Sequence, residues 1–294
     1  MNLKIVFFGT PTFVIPILEN LSKHVEIVGV ITTPDSPQGR HHVLTPTPVK
    51  QFATTTFPPI PILTPEKLDN ETKQILEDIK PDIFVVAAYG KIIPQSILDI
   101  PKYGSINIHP SLLPKYRGSS PIQTMLLHGD KESGVTIMLM DEKMDHGPIL
   151  KQWTVPVSND QTFESLHQSM FKDAADQLPQ VIHDFVEKKL TPIPQNDNDA
   201  TYCEKTTKES GYFDSANPPM PDVLDRMIRA FYPWPSVWTR LTMPNGSKQI
   251  IKFYPEKRIQ VEGKKIVTIE EFLNGYPKLR QQLEQLLPEG LLSH

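Results

Sequence analysis

Residues 3–8 read LKIVFF, an unbroken apolar run, and VEIVGVIT (25–32) and DIFVVAA (82–88) have the same character. A strand with one solvent-exposed face alternates apolar and polar side chains. Continuous runs are instead typical of a parallel sheet that is covered on both faces. Helical patterns at 12–23 and 70–80 lie between these runs. The order predicts an α/β fold, a Rossmann-like, doubly wound and mostly parallel sheet.

The rest of the chain predicts further strands, a long helix and a separate small unit. Strand-like segments occupy 135–140 and 150–157, and 161–189 has the apolar spacing of an amphipathic helix. Pro179 lies inside that segment and predicts a kink or a break. The prolines and short polar residues of 190–222 predict a linker.

The predicted domains are therefore 1–189, which would be catalytic, and a small β-rich domain at 223–294. The second domain opens with a short helical pattern. Asn245-Gly246 joins two strand-like segments and is a strong hairpin signal. The chain then predicts a helix near 269–287.

Composition limits the class of protein. Among the 294 residues, the single cysteine, Cys203, excludes an internal disulfide and a multi-cysteine zinc site, and favours a reducing cytoplasm. The apolar runs are too short for a membrane helix, and the N-terminus predicts a strand rather than a signal peptide. The net charge is −4, yet residues 226–280 carry 11 Lys/Arg and 4 Asp/Glu. That basic part is compatible with a polyanionic partner, although a mixed surface without a partner is the more common explanation.

The first turn, FFGTPTF (7–13), disfavours a dinucleotide site. Such a site uses three glycines so that the backbone can approach a pyrophosphate, and here only Gly9 is present. The default interpretation is a tight turn between strand and helix, and a substrate contact from Thr10 stays open.

The stretch GSINIHPSLLPKYRGSSPIQ (104–123) places two polar side chains at a predicted strand end. Residues two apart on a strand face the same side, so Asn107 and His109 converge while Ile106 and Ile108 face the packed layer. Ligands of open α/β sheets bind beyond the carboxyl ends of the strands, which is where Pro110 follows. His can move a proton near neutral pH, and an Asn amide can donate to a developing oxyanion.

A carboxylate partner is expected from DEKMDHGPIL (141–150), after the strand at 135–140. Asp145 is a better candidate than Asp141, because it lies in the turn and could orient His109. The plainer alternative is a turn Asp that caps its own loop. His109, Asp145 and His146 lack a clean metal-ligand spacing, so no metal site is predicted.

These segments together resemble the methionyl-tRNA formyltransferase family, which uses 10-formyltetrahydrofolate. The resemblance rests on motifs in the family's order: GTPTF, TPDSPQGR with LTPTPVK, VVAAYGKIIP, INIHPSLLPKYRGSSPIQ, GVTIMLMDEKMDHGPIL and AFYPWPSVW. It covers roughly 3–243, and 263–275 looks like the family's C-terminal signature. The SLLP block marks the wider group of 10-formyltetrahydrofolate-dependent formyltransferases. The C-terminal unit is shorter than the family's, which implies a reduced OB-like domain.

The resemblance implies site residues and partners. It implies Asn107, His109 and Asp145 as catalytic residues and Arg40 as a contact to tRNA. It assigns folate binding to Ser111, Leu112, Leu113 and Pro114 and to the pterin-pocket wall, Val85, Val86, Ala87, Ala88, Tyr89 and Gly90. It further implies 10-formyltetrahydrofolate as co-substrate, methionyl-tRNA as acceptor, no metal, no protein partner and a monomer.

Two alternatives to methionyl-tRNA formylation stay open. One is an N-formyltransferase that acts on a nucleotide-linked amino sugar. The other is a folate- or RNA-binding module without catalysis, against which the complete set of Asn107, His109 and Asp145 argues. The choice among His109 as general base, His109 as electrophile and Asp145 acting through water also stays open.

Overall fold

The computed structural model describes residues 2–38 and 43–287. These residues form two compact units, each described by itself. The first contains the described residues up to Arg117, Ser133–Val155 and His167–Tyr202. The second contains Gly118–Glu132, Pro156–Leu166 and the described residues from Cys203 onward.

The first unit is built on a seven-stranded sheet. The strands in the first part of the chain are β1 (Lys4–Gly9), β2 (Glu26–Ile31), β3 (Ser36–Gln38), β4 (Val43–Thr45), β5 (Ile62–Leu63), β6 (Ile83–Ala87), β7 (Ser105–His109), β8 (Glu132–Leu139) and β9 (Ile149–Pro156). The sheet has the order β5-β2-β1-β6-β7-β8-β9, and β3 pairs separately with β4.

The sheet is mostly parallel, as predicted. The strand pairs β2–β5, β1–β2, β1–β6 and β6–β7 are parallel, whereas β7 and β8 are antiparallel. All five residues of β6 are buried, because the sheet is covered on both faces. The carboxyl ends of β6 and β7 therefore lie side by side at one edge.

Helices flank the strands and continue into the C-terminal part. They are α1 (Ile15–Leu21), α2 (Pro48–Thr56), α3 (Asn70–Ile79), α4 (Gln95–Leu98), α5 (Pro121–His128), α6 (Phe163–Val186), α7 (Pro221–Ala230), α8 (Ile269–Gly275) and α9 (Arg280–Leu286). Within the described parts of the chain, no helix has both the length and the apolar character needed to cross a bilayer.

Of the kink or break predicted at Pro179, the break is wrong, because α6 runs through it without interruption; the kink stays a prediction. A proline has no N–H to donate to the carbonyl four residues earlier, which here is that of Ala175. The side-chain amide of Asn20 donates to that oxygen instead, at 2.6 Å. The replacement donor removes much of the penalty that favours a helix break.

The second unit carries a small antiparallel sheet in the order β10-β11-β12-β13. Its strands are β10 (Val237–Thr242), β11 (Lys248–Tyr254), β12 (Arg258–Val261) and β13 (Val267–Thr268). Thr242 pairs with Lys248, so the hairpin predicted at Asn245-Gly246 is confirmed. The fold class, a Rossmann-like α/β unit with a small β-rich unit, is likewise confirmed.

The C-terminal helical segment differs from the prediction of one helix. α8 ends at Gly275, and α9 begins at Arg280. Pro277 lies between them, and the residue before a proline is disfavoured in helical conformation; Tyr276 has φ −135° and ψ 59°. The two helices are therefore separate.

The segment predicted as a linker, 190–222, is divided between the two units at Tyr202. Ile193 exchanges backbone hydrogen bonds with Ile149. The Arg117 amide donates to Thr201 O at 2.8 Å. The domain boundaries at 189 and 222 stay a prediction.

Candidate active site

Asn107 and His109 lie at the carboxyl end of β7, with Asn107 half-buried and His109 buried. Asn107 pairs with Met138 and His109 with Thr136 across the β7–β8 ladder. The intervening Ile108 is buried in the sheet core. The alternation that the sequence predicted thus carries the two polar side chains on one side of the strand.

The loop after β7 is held by two polar side chains of the next strands. The Thr136 hydroxyl donates to Ser111 O at 2.6 Å and accepts from the Leu113 amide at 3.2 Å. The Gln152 amide donates to Leu113 O at 2.9 Å and to the Thr136 hydroxyl at 2.8 Å. These bonds give 111–113 a fixed backbone beside His109.

Asp145 lies in the turn between β8 and β9 with φ +50°, in the left-handed region. Its Oδ1 accepts from Asn107 Nδ2 at 3.4 Å, and its Oδ2 lies 3.6 Å from His109 Nδ1. Gly147 completes the turn against β8, where a Cβ atom would collide with the Leu139 carbonyl oxygen. The structure thus brings the three predicted catalytic residues together, while their chemical roles stay predictions.

The hydrogen bond made by His109 Nε2 shows which ring nitrogen can accept a proton. Nε2 lies 2.9 Å from Tyr116 O, and a carbonyl oxygen only accepts hydrogen bonds. Nε2 therefore carries a hydrogen in this hydrogen bond, which leaves Nδ1 as the nitrogen that can act as a base. Nδ1 is also the nitrogen that faces Asp145.

The residues predicted to bind folate divide into two groups by exposure. Ala88 and Gly90 are exposed, and Leu112 and Pro114 are half-buried, so these four can offer surface to a ligand. The remaining predicted residues are buried and can shape a wall from behind: Val85, Val86, Ala87, Tyr89, Ser111 and Leu113. Folate binding by this set stays a prediction.

Tyr89, one of the buried residues of the predicted wall, lies in the core. Its ring is 2% exposed and packs edge-on against Phe8, with centroids 5.4 Å apart. Its hydroxyl is buried without a hydrogen-bond partner among the described residues. Burial raises the pKa of Tyr89 to about 12, so the phenol stays neutral at physiological pH.

Sequence reasoning missed a polar pair behind the site, the buried Arg117 and the half-buried Gln195. Arg117 is 1% exposed, and its Nε and Nη2 donate to Gln195 Oε1 at 3.1 and 2.9 Å. Nη2 also donates to Asp197 at 2.8 Å, and this hydrogen bond lowers the pKa of the Asp197 carboxyl. The Arg of the SLLPKYRG block was a usable signal, but nothing in the sequence connected it to residue 195.

Two predictions concern groups outside this cluster. Arg40, the predicted contact to tRNA, lies outside the described residues. Across 2–38 and 43–287, no group of three or more His, Cys, Asp or Glu side chains is placed to hold a metal ion.

The chain matches the formyl transferase family over residues 3–182. It is 44% identical over 242 residues to the methionyl-tRNA formyltransferase of Roseiflexus castenholzii, covering 81% of this chain and 76% of that protein. It is 40% identical to the methionyl-tRNA formyltransferase of Bacillus licheniformis, covering 91% and 84%. A sugar N-formyltransferase from a Shewanella species has a similar fold, with a TM-score of 0.64 and 18% identity, over 87% of this chain and 99% of that one.

Proposed function

Because the chain belongs to the methionyl-tRNA formyltransferase family, we propose that it transfers a formyl group from 10-formyltetrahydrofolate to the α-amino group of methionyl-tRNA. The observation that carries this proposal is the convergence of Asn107, His109 and Asp145 at the end of β7. The convergence also argues against a binding module without catalysis, which has no need of a proton-transfer group beside an amide donor.

The proposed donor site fits the residues present. A pterin is flat and largely apolar at its faces, and the exposed Ala88 and Gly90 and half-buried Leu112 and Pro114 offer small or apolar surface. A Cβ placed at Gly90 would meet nothing within 4 Å, so the backbone there is open to close approach. When bound, 10-formyltetrahydrofolate supplies the formyl group.

Asn107, His109 and Asp145 each have a different role in the proposed formylation of the amine. The attacking amine must be a free base, and it loses a proton as the new C–N bond forms. His109 Nδ1 takes up that proton, and the nearby Asp145 carboxylate stabilises the imidazolium that results. Asn107 donates an N–H to the carbonyl oxygen, where negative charge develops. Collapse of the tetrahedral intermediate then breaks the bond between the formyl carbon and the N10 nitrogen, and tetrahydrofolate leaves as that nitrogen takes the proton from His109.

The acceptor is assigned from the relatives rather than from the site. Methionyl-tRNA formyltransferases share 40–44% identity with this chain over most of its length. The sugar N-formyltransferase shares 18% and supports a common fold alone. A cytoplasmic location, which the single Cys203 favours, and a monomeric state belong to the same proposal.

An acceptor competition tests the proposal. The purified protein is given 10-formyltetrahydrofolate with either methionyl-tRNA or a nucleotide-linked amino sugar, and the formylated product is measured. We expect formyl-methionyl-tRNA and no formylated sugar. Formylation of the sugar alone would overturn the assignment of the acceptor, and formylation of neither would overturn the enzyme assignment.

A further inference from the structure

Gln195 joins the turn that carries Asp145 to the buried Arg117. Its Nε2 donates to Asp145 O at 2.9 Å and to Gly147 O at 2.8 Å. Its Oε1 accepts both bonds from Arg117. The full donor capacity of one side-chain amide is thus used on two carbonyls of a single turn.

The backbone conformation of Asp145 explains why the turn needs this support. A non-glycine residue in the left-handed region is strained, although Asp tolerates it better than most. Asp145 holds φ +50°, and the carboxylate direction follows from that backbone. A turn that relaxed toward ordinary φ values would move the carboxylate away from Asn107 and His109.

The chain segment that contains Arg117 also supports His109. Arg117 follows Tyr116, whose carbonyl accepts from His109 Nε2. The Tyr116 amide donates to the Thr201 hydroxyl at 2.9 Å. The segment 195–201 therefore holds the backbone behind both members of the proposed proton-transfer pair.

We infer that Gln195 is a positioning residue for formyl transfer, which fixes the Asp145 turn by bonding to its two carbonyls and is itself oriented by Arg117. The inference rests on the proposed function. It competes with a simpler role for Gln195, in which the amide only satisfies the buried guanidinium.

Gln195→Glu separates the two roles. A Glu side chain keeps acceptor oxygens for Arg117, and a charge-assisted bond there is stronger than the neutral one. It has no N–H for the carbonyls of Asp145 and Gly147, so only the support of the turn is lost. A role confined to Arg117 predicts a stable and fully active variant, whereas a positioning role predicts a folded and impaired one.

The experiment measures steady-state formylation and hydrogen exchange of the peptide that spans 143–149. For Q195E we expect kcat to fall about 10-fold to 10²-fold, since misplacement near 1 Å has effects of that size. The Km for 10-formyltetrahydrofolate should change less than about twofold. Gln195 acts on the Asp145 turn, so its loss should affect the chemical step rather than the binding of the formyl donor. Exchange of the peptide should become faster. The control is Gln168→Glu, the same substitution at an exposed site on α6.

Unchanged kcat together with unchanged exchange in Q195E would overturn the inference. If Q195E does not fold, Gln195→Asn is used, because its shorter amide cannot bridge Arg117 and both carbonyls, and the same two changes are expected. If the wild-type protein formylates no acceptor, the proposed function fails. The exchange measurement then decides separately whether Gln195 holds the turn.

Discussion

His109 Nδ1 and Asp145 Oδ2 lie 3.6 Å apart, with both side chains largely shielded from solvent. The separation is slightly longer than a hydrogen bond, so a small movement of either side chain would close it. Shielding strengthens the attraction between a carboxylate and an imidazolium. The pair is therefore suited to hold a proton that leaves an amine.

Replacing Asp145 by Asn should lower kcat by about 10² or more, because the charge that stabilises imidazolium is lost. Asn tolerates the left-handed conformation as Asp does, so the thermal midpoint should stay close to that of the wild type. Asp145→Ala should lose the same activity and also about 1 kcal/mol of stability, from backbone strain. Steady-state formylation and thermal denaturation measure both effects. Full turnover by D145N would contradict the proposed role.

Replacing Asn107 by Ala should lower kcat by about 10²–10³, the usual effect of removing one oxyanion donor. The Km for methionyl-tRNA should change little, since the lost bond strengthens only as charge develops. Initial rates over a range of acceptor concentration separate the two constants. Asn274→Ala, at an exposed position on α8, is the matched control. A selective rise in Km would instead assign Asn107 to acceptor binding.

The convergence of Asn107, His109 and Asp145 could be predicted because strand alternation and turn chemistry are local. Asn107 and His109 are two apart on a short strand, and Asp145 precedes a glycine that the turn requires. The contact from Gln195 to Asp145 spans 50 residues, and its donor lies in a segment whose composition predicts a linker. Local patterns carry no information about such a contact.

Backbone predictions failed where a distant side chain changed a local preference. Pro179 disfavours helix, yet Asn20 supplies the donor that the proline lacks, from 155 residues earlier in the chain. Among the described residues, no side-chain donor plays the part of Asn20 at Pro277, and two helices result.

Replacing Tyr89 by Phe should raise the free energy of unfolding by about 1 kcal/mol, since a buried hydroxyl without a partner carries a desolvation penalty. The ring contacts with Phe8 would remain. Urea denaturation measures the change, and Tyr212→Phe, at an exposed tyrosine, is the control. A destabilised Y89F variant would show that the hydroxyl has a hydrogen-bond partner in solution.

His167 should make stability depend on pH. It is packed between Phe13 and Phe171, and burial lowers its pKa from 6.5 to about 4. The unfolded chain therefore binds the proton more readily, so this contribution is full above pH 6.5 and is lost as the pH falls toward 4. The loss should reach about 3 kcal/mol at most.

His167→Phe preserves an aromatic ring at this position and removes the titration. Its unfolding free energy, measured by urea denaturation, should vary less than that of the wild type between about pH 7 and pH 4. Identical pH dependence in both proteins would contradict the burial of a neutral imidazole. A nuclear magnetic resonance titration of the wild-type ring provides a direct check of its pKa.

Binding of methionyl-tRNA should weaken steeply with salt if the basic C-terminal part contacts phosphates. Lys264 and Lys278 line a pocket of about 460 Å³ with Tyr276, and none of the described residues that line it is acidic. Log affinity falls with log salt, and each lost phosphate contact makes this slope shallower by a little under one. Replacing both lysines by Gln should therefore reduce the slope by about two if each contacts one phosphate. Lys172→Gln, exposed on α6, should leave it unchanged. A flat response in the wild-type protein would favour a small acceptor over tRNA.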